Sequence, residues 1–365
     1  MHTQARTSGR WSVWLLILSL LPSVGATTSN EHVVNNVLPV QGHDLPHGNR
    51  QAGLAPSIQA IVTTKMGVVY AGSFGMGMFR SQDNGGSWEL FNSGLTDTFI
   101  LCLGVDHHDT IYVGTVRGGI FRTNVDQTGW ERVSQGLKRV EVKSLLMHNH
   151  ELFAGTGRGV YRWIEHERQW VVVGKGLDQL LVSSLVMMDN GLLLAGTLGR
   201  GLYMYDTKGS SSHEWKAYRQ TLVDPKEGLT HRFIRIVAMG EDQGIYVGTQ
   251  DGGIFHSQVA GAPWTSIGRS LPNDSIRSIV PTAFGVFVAT GRGIYKKTEQ
   301  RRKQWAPMNE GITELSLQVL MISQKGIMYA GTSSGAFRSD NGGQQWINIS
   351  EGFGLQPIIP GPYHR

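Results

Sequence analysis

Short runs of apolar residues alternate with glycine-rich turns along most of the chain. In the first such stretch, four runs at residues 58–63, 68–72, 78–81 and 88–91 are separated by turn residues at 65–67, 74–75 and 83–86. Runs of this length that are bounded by glycine and asparagine predict β-strands joined by tight turns. A lone sheet of four such strands leaves both faces exposed to water, so each unit needs neighbours that cover it.

The same unit occurs seven times. Each copy carries an anchor, which is an aromatic or apolar residue followed by Ala or Val, then usually Gly-Thr. The third anchor residues are Gly72, Gly114, Gly155, Gly196, Gly248, Ala289 and Gly331, with steps of 42, 41, 41, 52, 41 and 42 residues. A tryptophan follows each anchor, at Trp88, Trp130, Trp170, Trp215, Trp264, Trp305 and Trp346. A Gly-Leu-like pair follows six residues after most of these tryptophans.

This repeat predicts an all-β protein, a seven-bladed β-propeller with four antiparallel strands in each blade. Seven sheets stacked radially bury one another's faces, and a closed ring leaves no long open edge. We interpret the seven tryptophans as packing residues between blades rather than as a ligand-binding box. Two modes of ring closure remain open, which are simple face packing and an added strand at residues 33–40.

The N-terminus has the features of an export signal. Arg6 and Arg10 precede an apolar run at residues 11–21, and small residues at 24–26 suit a signal peptidase. Because a spanning helix needs about 20 residues, this run is too short to cross a bilayer. We predict a signal peptide at 1–26 that is cleaved after Ala26, a flexible lead-in at 27–55, the propeller at 56–354 and a disordered tail at 355–365. The alternative is that the N-terminal segment is an uncleaved anchor.

Composition limits the chemistry that the protein can carry. Its 48 glycines among 365 residues are about twice the usual share. The single cysteine, Cys102, excludes an intrachain disulfide and a cysteine-based zinc cluster, and its apolar neighbours predict a small core residue. The formal net charge of +5 is too weak to imply nucleic-acid binding. Removal of the signal peptide leaves +3.

Two of the turns carry a recognisable motif. Residues 81–88, Ser-Gln-Asp-Asn-Gly-Gly-Ser-Trp, fit the pattern Ser-x-Asp-x-Gly-x-Ser/Thr-Trp, which resembles the Asp-box of BNR repeats. Residues 339–346 match nearly, with Asn341 in place of the aspartate. In that family the box forms the turn between the third and fourth strands. An Asx side chain that caps a glycine-rich turn is a folding device without catalytic meaning.

The order of motifs is also similar to the propeller repeats of two-component sensor ectodomains and of photosystem II assembly factors. The resemblance covers residues 56–354 and implies an exported binding or assembly module. Sialidases share the Asp-box, but the Arg-Ile-Pro motif of that family does not occur here. Other glycosidases need two facing carboxylates. The acidic residues available in turns include Asp97, Asp178, Asp224, Glu227, Asp251 and Asp274.

Histidines in two neighbouring first turns suggest a metal site as an alternative. The sequences are His107-His108-Asp109 and His148-Asn149-His150. Since the ligand spacing on a fixed element is absent, we interpret them as polar hairpin tips and predict no metal and no cofactor.

After four of the anchors, an arginine lies beside the turn glycine, and the prediction of function rests mainly on this feature. These residues are Arg117, Arg158, Arg200 and Arg292. Loops between second and third strands share one face of a propeller with loops between blades. The inter-blade loops add Lys138, Arg139, Arg232 and Arg277 to that face. The opposite face collects Asp106, Asp109, Asp189, Glu241 and Asp242. The alternative is that these arginines are solvated hairpin residues that bind nothing.

From these observations we predict an exported, non-enzymatic and monomeric module that docks an acidic protein segment through the basic face. Guanidinium groups suit this role because they make forked hydrogen bonds to carboxylates. Periplasm, extracellular space and thylakoid lumen all remain open as compartments. We expect no nucleic-acid partner and no transmembrane span after cleavage. The alternative function is a sialidase-like or other glycoside hydrolase, or a lectin-like sugar-binding propeller.

Overall fold

All regular secondary structure in the described part of the chain is β-strand. The computed structural model describes residues 55–137, 139–209, 213–218, 229, 231–273, 275–297 and 304–353, together with the backbone of residues 35–36. The predicted signal peptide, the tail from 355, Lys138, most of the lead-in and the insertion at 219–228 lie outside the described residues.

The strands form seven antiparallel sheets that follow one another along the chain. Strand β1 (Asn35–Asn36) precedes the repeats. Blade 1 contains β2 (Ile58–Thr63), β3 (Val69–Ser73), β4 (Gly77–Ser81) and β5 (Glu89–Leu90). Blade 2 contains β6 (Ile100–Val105), β7 (Ile111–Thr115), β8 (Ile120–Thr123) and β9 (Glu131–Arg132). Blade 3 contains β10 (Val142–His148), β11 (Glu151–Thr156), β12 (Gly159–Ile164) and β13 (Gln169–Val172).

The remaining four blades have the same order. Blade 4 contains β14 (Val182–Met187), β15 (Leu192–Thr197), β16 (Gly201–Asp206) and β17 (Lys216–Ala217). Blade 5 contains β18 (Ile234–Met239), β19 (Ile245–Thr249), β20 (Ile254–Ser257) and β21 (Thr265–Ser266). Blade 6 contains β22 (Ile276–Thr282), β23 (Gly285–Thr290), β24 (Gly293–Lys297) and β25 (Trp305–Pro307). Blade 7 contains β26 (Leu317–Ile322), β27 (Met328–Thr332), β28 (Gly335–Ser339) and β29 (Ile347–Asn348). The prediction of an all-β, seven-bladed propeller is confirmed.

The hydrophobic core consists of seven clusters, each shared by two neighbouring blades. One cluster joins blades 1 and 2 through residues such as Val62 and Leu103, and another joins blades 7 and 1 through Val319 and Ile58. Since each sheet is covered on both faces, the inner strands are almost continuously buried, as in β26. Burial of apolar surface between blades is therefore what holds the ring together.

The repeated tryptophans lie in these interfaces, and all seven are at least nine-tenths buried. Six of their indole Nε1 groups donate a hydrogen bond to a backbone carbonyl of the preceding blade, such as Trp130 to Phe91 O at 2.7 Å and Trp170 to Val133 O at 2.6 Å. Each indole thus adds a directed bond to its apolar contact.

The ring closes by face packing between blades 7 and 1. Trp88 Nε1 donates to Ile349 O at 2.8 Å, and Gly335 N donates to Pro56 O at 2.8 Å. Strand β1 does not take part in this closure. It pairs antiparallel with β6, the innermost strand of blade 2, and lies near the innermost strands β2, β10, β22 and β26. Its backbone therefore runs inside the central channel.

Every innermost strand contains a β-bulge near its start. In β22 the register with β23 passes from Ile276–Thr290 directly to Ser278–Ala289, which leaves Arg277 without a partner on that strand. The same shift occurs in the other six blades. A bulge leaves one extra residue unpaired and turns the strand locally.

Candidate partner-binding face

The turns between second and third strands are hydrogen-bonded to the loop that enters the next blade. In blade 4, Gly199 N and Gly201 N both donate to Arg232 O at 2.9 Å. In blade 1, Gly75 N and Gly77 N donate to Thr98 O at 3.0 Å. These bonds place the two kinds of loop side by side, so they form one continuous surface at one end of the ring.

Six of the seven predicted partner-binding residues are described, and all six lie on this surface with exposed side chains. Four occupy second-to-third-strand turns, which are Arg117, Arg158, Arg200 and Arg292. The other two, Arg139 and Arg232, lie in loops between blades. We call these six residues the rim arginines and the surface that carries them the basic face. The seventh predicted residue, Lys138, lies outside the described residues.

Local hydrogen bonds hold the turns that carry the rim arginines. Thr156 Oγ1 donates to Gly159 O at 2.9 Å and accepts from Arg158 N at 3.0 Å. Thr290 makes the same two contacts at 3.0 Å, to Gly293 O and from Arg292 N. The threonine of the anchor therefore fixes the turn, while the guanidinium group extends into solvent.

The carboxylates of the basic face are engaged mainly with backbone groups. Asp97 accepts hydrogen bonds from Arg117 N at 2.6 Å and Gly118 N at 2.9 Å, and Glu314 accepts one from Ser316 N at 2.7 Å. No rim arginine forms an ion pair with a carboxylate of the described residues. Their charge is consequently available to an external acidic group.

Exposed apolar side chains also lie on this face, and the sequence reasoning missed them. Phe99 and Phe233 are the residues before β6 and β18, and 41% and 45% of their surface is exposed. Phe99 packs edge to face against Phe74 with ring centroids 5.0 Å apart. Aromatic and arginine side chains are the types enriched in protein interfaces. A comparison of the residues that precede the inner strands would have revealed these two exposed aromatic residues.

One sequence assignment on this face is corrected. Arg277 was expected in a loop between blades, but it is the unpaired bulge residue of β22. Since a bulge depends on the register between two strands, residue pattern alone does not reveal it. Arg277 therefore belongs to the channel wall and not to the rim.

The opposite face carries the first-to-second-strand hairpins. The predicted acidic residues lie there, with Asp106 and Asp109 between β6 and β7, Asp189 after β14, and Glu241 and Asp242 between β18 and β19. Lysines lie on the same face, at Lys65, Lys208 and Lys325. The charge of this face is therefore mixed.

The candidate metal residues meet on this opposite face. His150 Nδ1 lies 2.9 Å from His107 Nε2, and the His107 and His108 rings are 3.7 Å apart. Burial lowers the pKa of the neighbouring His148. Within the described ranges, however, no group of three or more His, Cys, Asp or Glu side chains could hold a metal ion.

Cys102 lies in β6 and is fully buried. Its thiol donates to Val142 O of the next blade at 3.4 Å, and burial raises the pKa of the thiol. A thiol of this kind remains protonated and is a poor nucleophile.

The turn carboxylates considered for hydrolysis are dispersed. Asp97 and Asp178 lie in different inter-blade loops, and Asp251 lies in a turn of blade 5 beside His231 Nδ1 at 3.7 Å. Asp224, Glu227 and Asp274 lie outside the described residues. One depression in the described surface is lined by residues 307–311 and Gln344. The lining of a second includes Thr63, Lys65, Lys325 and Tyr329. Neither lining contains two carboxylates.

The chain is similar in fold to solved β-propellers. It matches the extracellular domain described for a hybrid two-component system from B. thetaiotaomicron at a TM-score of 0.59 and 14% identity, over 76% of this chain and 39% of that chain. It matches PorZ, a surface component of the type-IX secretion system of Porphyromonas gingivalis, at 0.57 and 14%, over 90% and 40%. A GH74 enzyme from Niastella koreensis matches at 0.54 and 13%, over 83% and 54%.

At these identities the likeness shows the fold alone, and the chain spans less than two thirds of each of these three chains. No family model matches the chain, and no curated protein matches it. The described part of the fold contains no helical segment that could span a membrane.

Proposed function

We propose that the protein is an exported, non-enzymatic propeller that docks an acidic segment of a protein partner on its basic face. The observation that carries this proposal is the set of six exposed rim arginines on one face, with no ion pair among the described residues. The exposed Phe99 and Phe233 supply apolar contacts between these charges. Guanidinium and aromatic groups together favour a protein surface over a small ligand.

The export assignment rests on the residues of the predicted signal peptide and on the extracellular description of a structural neighbour. We infer further that the turns at 81–88 and 339–346 are Asp-boxes. In the first, Asp83 accepts from Ser87 N at 2.8 Å and from Ser81 Oγ at 2.7 Å. In the second, Asn341 accepts from Gln345 N and Ser339 Oγ at 2.9 Å. Both turns use the Asx side chain as a cap.

The proposal is tested by capture of the partner from the native host with charge-reversed variants. Arg117→Glu, Arg158→Glu and Arg200→Glu are combined in one chain, and Lys65→Glu, Lys208→Glu and Lys325→Glu in a second chain. The two triple variants change the net charge equally but on opposite faces. Loss of the captured protein with the first variant only is the expected result. Equal capture by wild type and the arginine variant contradicts the proposal.

Carbohydrate processing is the second candidate, since a GH74 enzyme is among the structural neighbours. Glycosidases that act by two carboxylates place them roughly 5–9.5 Å apart. The described carboxylates that were considered for this role, Asp97, Asp178 and Asp251, come from separate blades. Turnover of any glycoside by the purified chain would favour this function over docking.

A further inference from the structure

The bulge residues of the seven innermost strands form a ring around the central channel. We call this set the bulge ring; it consists of Gln59, Leu101, Lys143, Ser183, Arg235, Arg277 and Gln318. Its members reach neighbouring blades. Arg277 Nη1 donates to Gln318 Oε1 of blade 7, and Ser183 Oγ donates to Ile234 O of blade 5 at 2.6 Å.

The bulge ring lies directly beneath the turns of the basic face. Ile276, the residue before Arg277, pairs with Thr290, which begins the turn that carries Arg292. The Arg277 guanidinium group correspondingly lies beside Gly291 of that turn. In blade 5, Ile234 pairs with Thr249 at the corresponding position. The ring therefore occupies the end of the channel that opens on the basic face.

Two cations of the bulge ring have no neutralising partner among the described residues. The Nε atoms of Arg235 and Arg277 are buried and make no hydrogen bond. Lys143 is different, because its Nζ lies 3.2 Å from Glu141 Oε2. The negative charge of Asp251 raises the pKa of Arg235, but the Asp251 side chain is 70% exposed and lies beside His231.

Both guanidinium groups also have lowered pKa values. Burial is the main cause that lowers the pKa of Arg235 to about 10, and the positive charge of Arg277 contributes to the same shift. Burial alone lowers the pKa of Arg277. Both groups remain protonated at neutral pH. Two half-buried like charges on the neighbouring strands β18 and β22, each with an unmet Nε–H donor, are costly to the fold, and a bound anion relieves that cost.

We propose that Arg235 and Arg277 form an oxyanion-binding site at the basic-face end of the channel. The N–H donors of a guanidinium group lie in a planar fork, which suits them to bind two oxygens of a carboxylate or phosphate group at once. The backbone of β1 lies near β22 in the same channel. The oxyanion is either a free ion or an acidic side chain of the docked partner; in the second case the inference rests on the proposed function.

Thermal unfolding with inorganic phosphate at constant ionic strength tests the site. Arg235→Gln and Arg277→Gln are combined in one variant, and Arg117→Gln and Arg158→Gln in a matched rim variant. Because an anion bound to the folded state stabilises it, a site for a free ion should raise the Tm of wild type and of the rim variant equally with phosphate. The channel variant should start at a higher Tm and should not respond.

A hexaglutamate peptide, with hexaglutamine as its control, distinguishes the two sources of the oxyanion. A rise in the Tm of wild type with phosphate identifies a free-ion site. A rise in Tm with hexaglutamate alone, which the channel variant does not show, identifies an acidic side chain of the partner. An equal response of the channel variant overturns the proposal, and so does the absence of any wild-type response to both probes. Failure of the docking function is seen separately, in the capture experiment with the variant that combines Arg117→Glu, Arg158→Glu and Arg200→Glu.

A second measurement covers the case in which the channel variant does not fold. In wild type labelled with ¹⁵N-arginine, the two buried Nε–H resonances should move on addition of the effective probe. Arg277→Lys retains the charge but loses the fork, and we expect its midpoint probe concentration to increase about tenfold. Unchanged Nε–H resonances at saturating concentrations of both probes would overturn the proposal.

Discussion

The indole Nε1 of Trp88 donates a 2.8 Å hydrogen bond to the backbone carbonyl of Ile349, and this bond joins the first blade to the last. The residues are far apart in sequence and both are buried. Phe353 packs on the same indole with ring centroids 4.7 Å apart. Closure of the ring thus uses the same indole-to-carbonyl contact that joins five of the other blade pairs.

Trp88→Phe tests how much that hydrogen bond contributes to the free energy of unfolding. The substitution keeps an aromatic ring but leaves Ile349 O buried without its donor, so we expect a loss of about 1–3 kcal/mol in the free energy of unfolding. Trp163→Phe is the control, because its indole donates to the exposed Glu165 of the same blade. Urea unfolding curves that show equal losses for the two variants would contradict the role of Trp88 in closure.

Gly136→Ala should destabilise the interface between blades 2 and 3. Gly136 has a φ of +86°, and a Cβ there would lie 2.3 Å from Trp170 O. We expect a loss of about 2–5 kcal/mol in the free energy of unfolding, from the strained backbone and the clash together. Gly326→Ala has a similar φ of +78° and open space around it, so it measures the backbone cost alone. A loss no larger than that of Gly326→Ala would refute the clash.

Asp83 should add a pH-dependent contribution to stability. Hydrogen bonds from the Ser87 hydroxyl and backbone N–H, and from Ser81, lower the pKa of this carboxyl to about 2, below the unfolded value of about 3.9. Because the folded-state pKa is depressed, the contribution is complete above about pH 4 and is lost as the pH falls towards 2. It is at most about 1 kcal/mol, since the group is exposed.

The measurement is the difference in free energy of unfolding between wild type and Asp83→Asn, taken from pH 6 to pH 2. The uncharged turn around Asn341 provides the control, and the effect of Asn341→Ala should not change over this range. A constant difference for Asp83→Asn at all pH values would contradict the assigned pKa.

Phe233→Ser should weaken partner binding and leave stability nearly unchanged. The side chain is 45% exposed on the basic face, so its removal costs contact with the partner more than contact within the fold. Phe284→Ser is the matched control, because Phe284 is 82% exposed in the β22–β23 hairpin of the opposite face. Binding is measured by calorimetry with the captured partner. Equal affinity of wild type and Phe233→Ser would contradict a contact between Phe233 and the partner.

The sequence was sufficient to predict the blades and the face on which the rim arginines lie. Both follow from a repeat in which Gly155 and Gly196 occupy equivalent positions, because equivalent residues in equivalent blades must share a face. The threonine contacts of Arg158 and Arg292 show the same regularity in the structure.

The residues that line the central channel could not be predicted from the sequence. Arg235 and Arg277 lie at the same level of neighbouring blades because a bulge leaves each of them unpaired, and bulges depend on register. Residues 33–40 were considered as a strand that closes the ring, but β1 (Asn35–Asn36) pairs with β6 of blade 2, and a two-residue strand has no periodic pattern that would indicate this partner. The contact between His107 and His150 likewise depends on how two hairpin tips approach each other.

Hydrogen–deuterium exchange of the chain, alone and with its captured partner, tests the docking face most directly. The account predicts slower exchange on binding at the turns around 116–119, 157–159, 198–201 and 291–293, with no change at the hairpins around 65–67, 107–109 and 283–284. Protection of the second set without the first would place the partner on the opposite face and contradict the account.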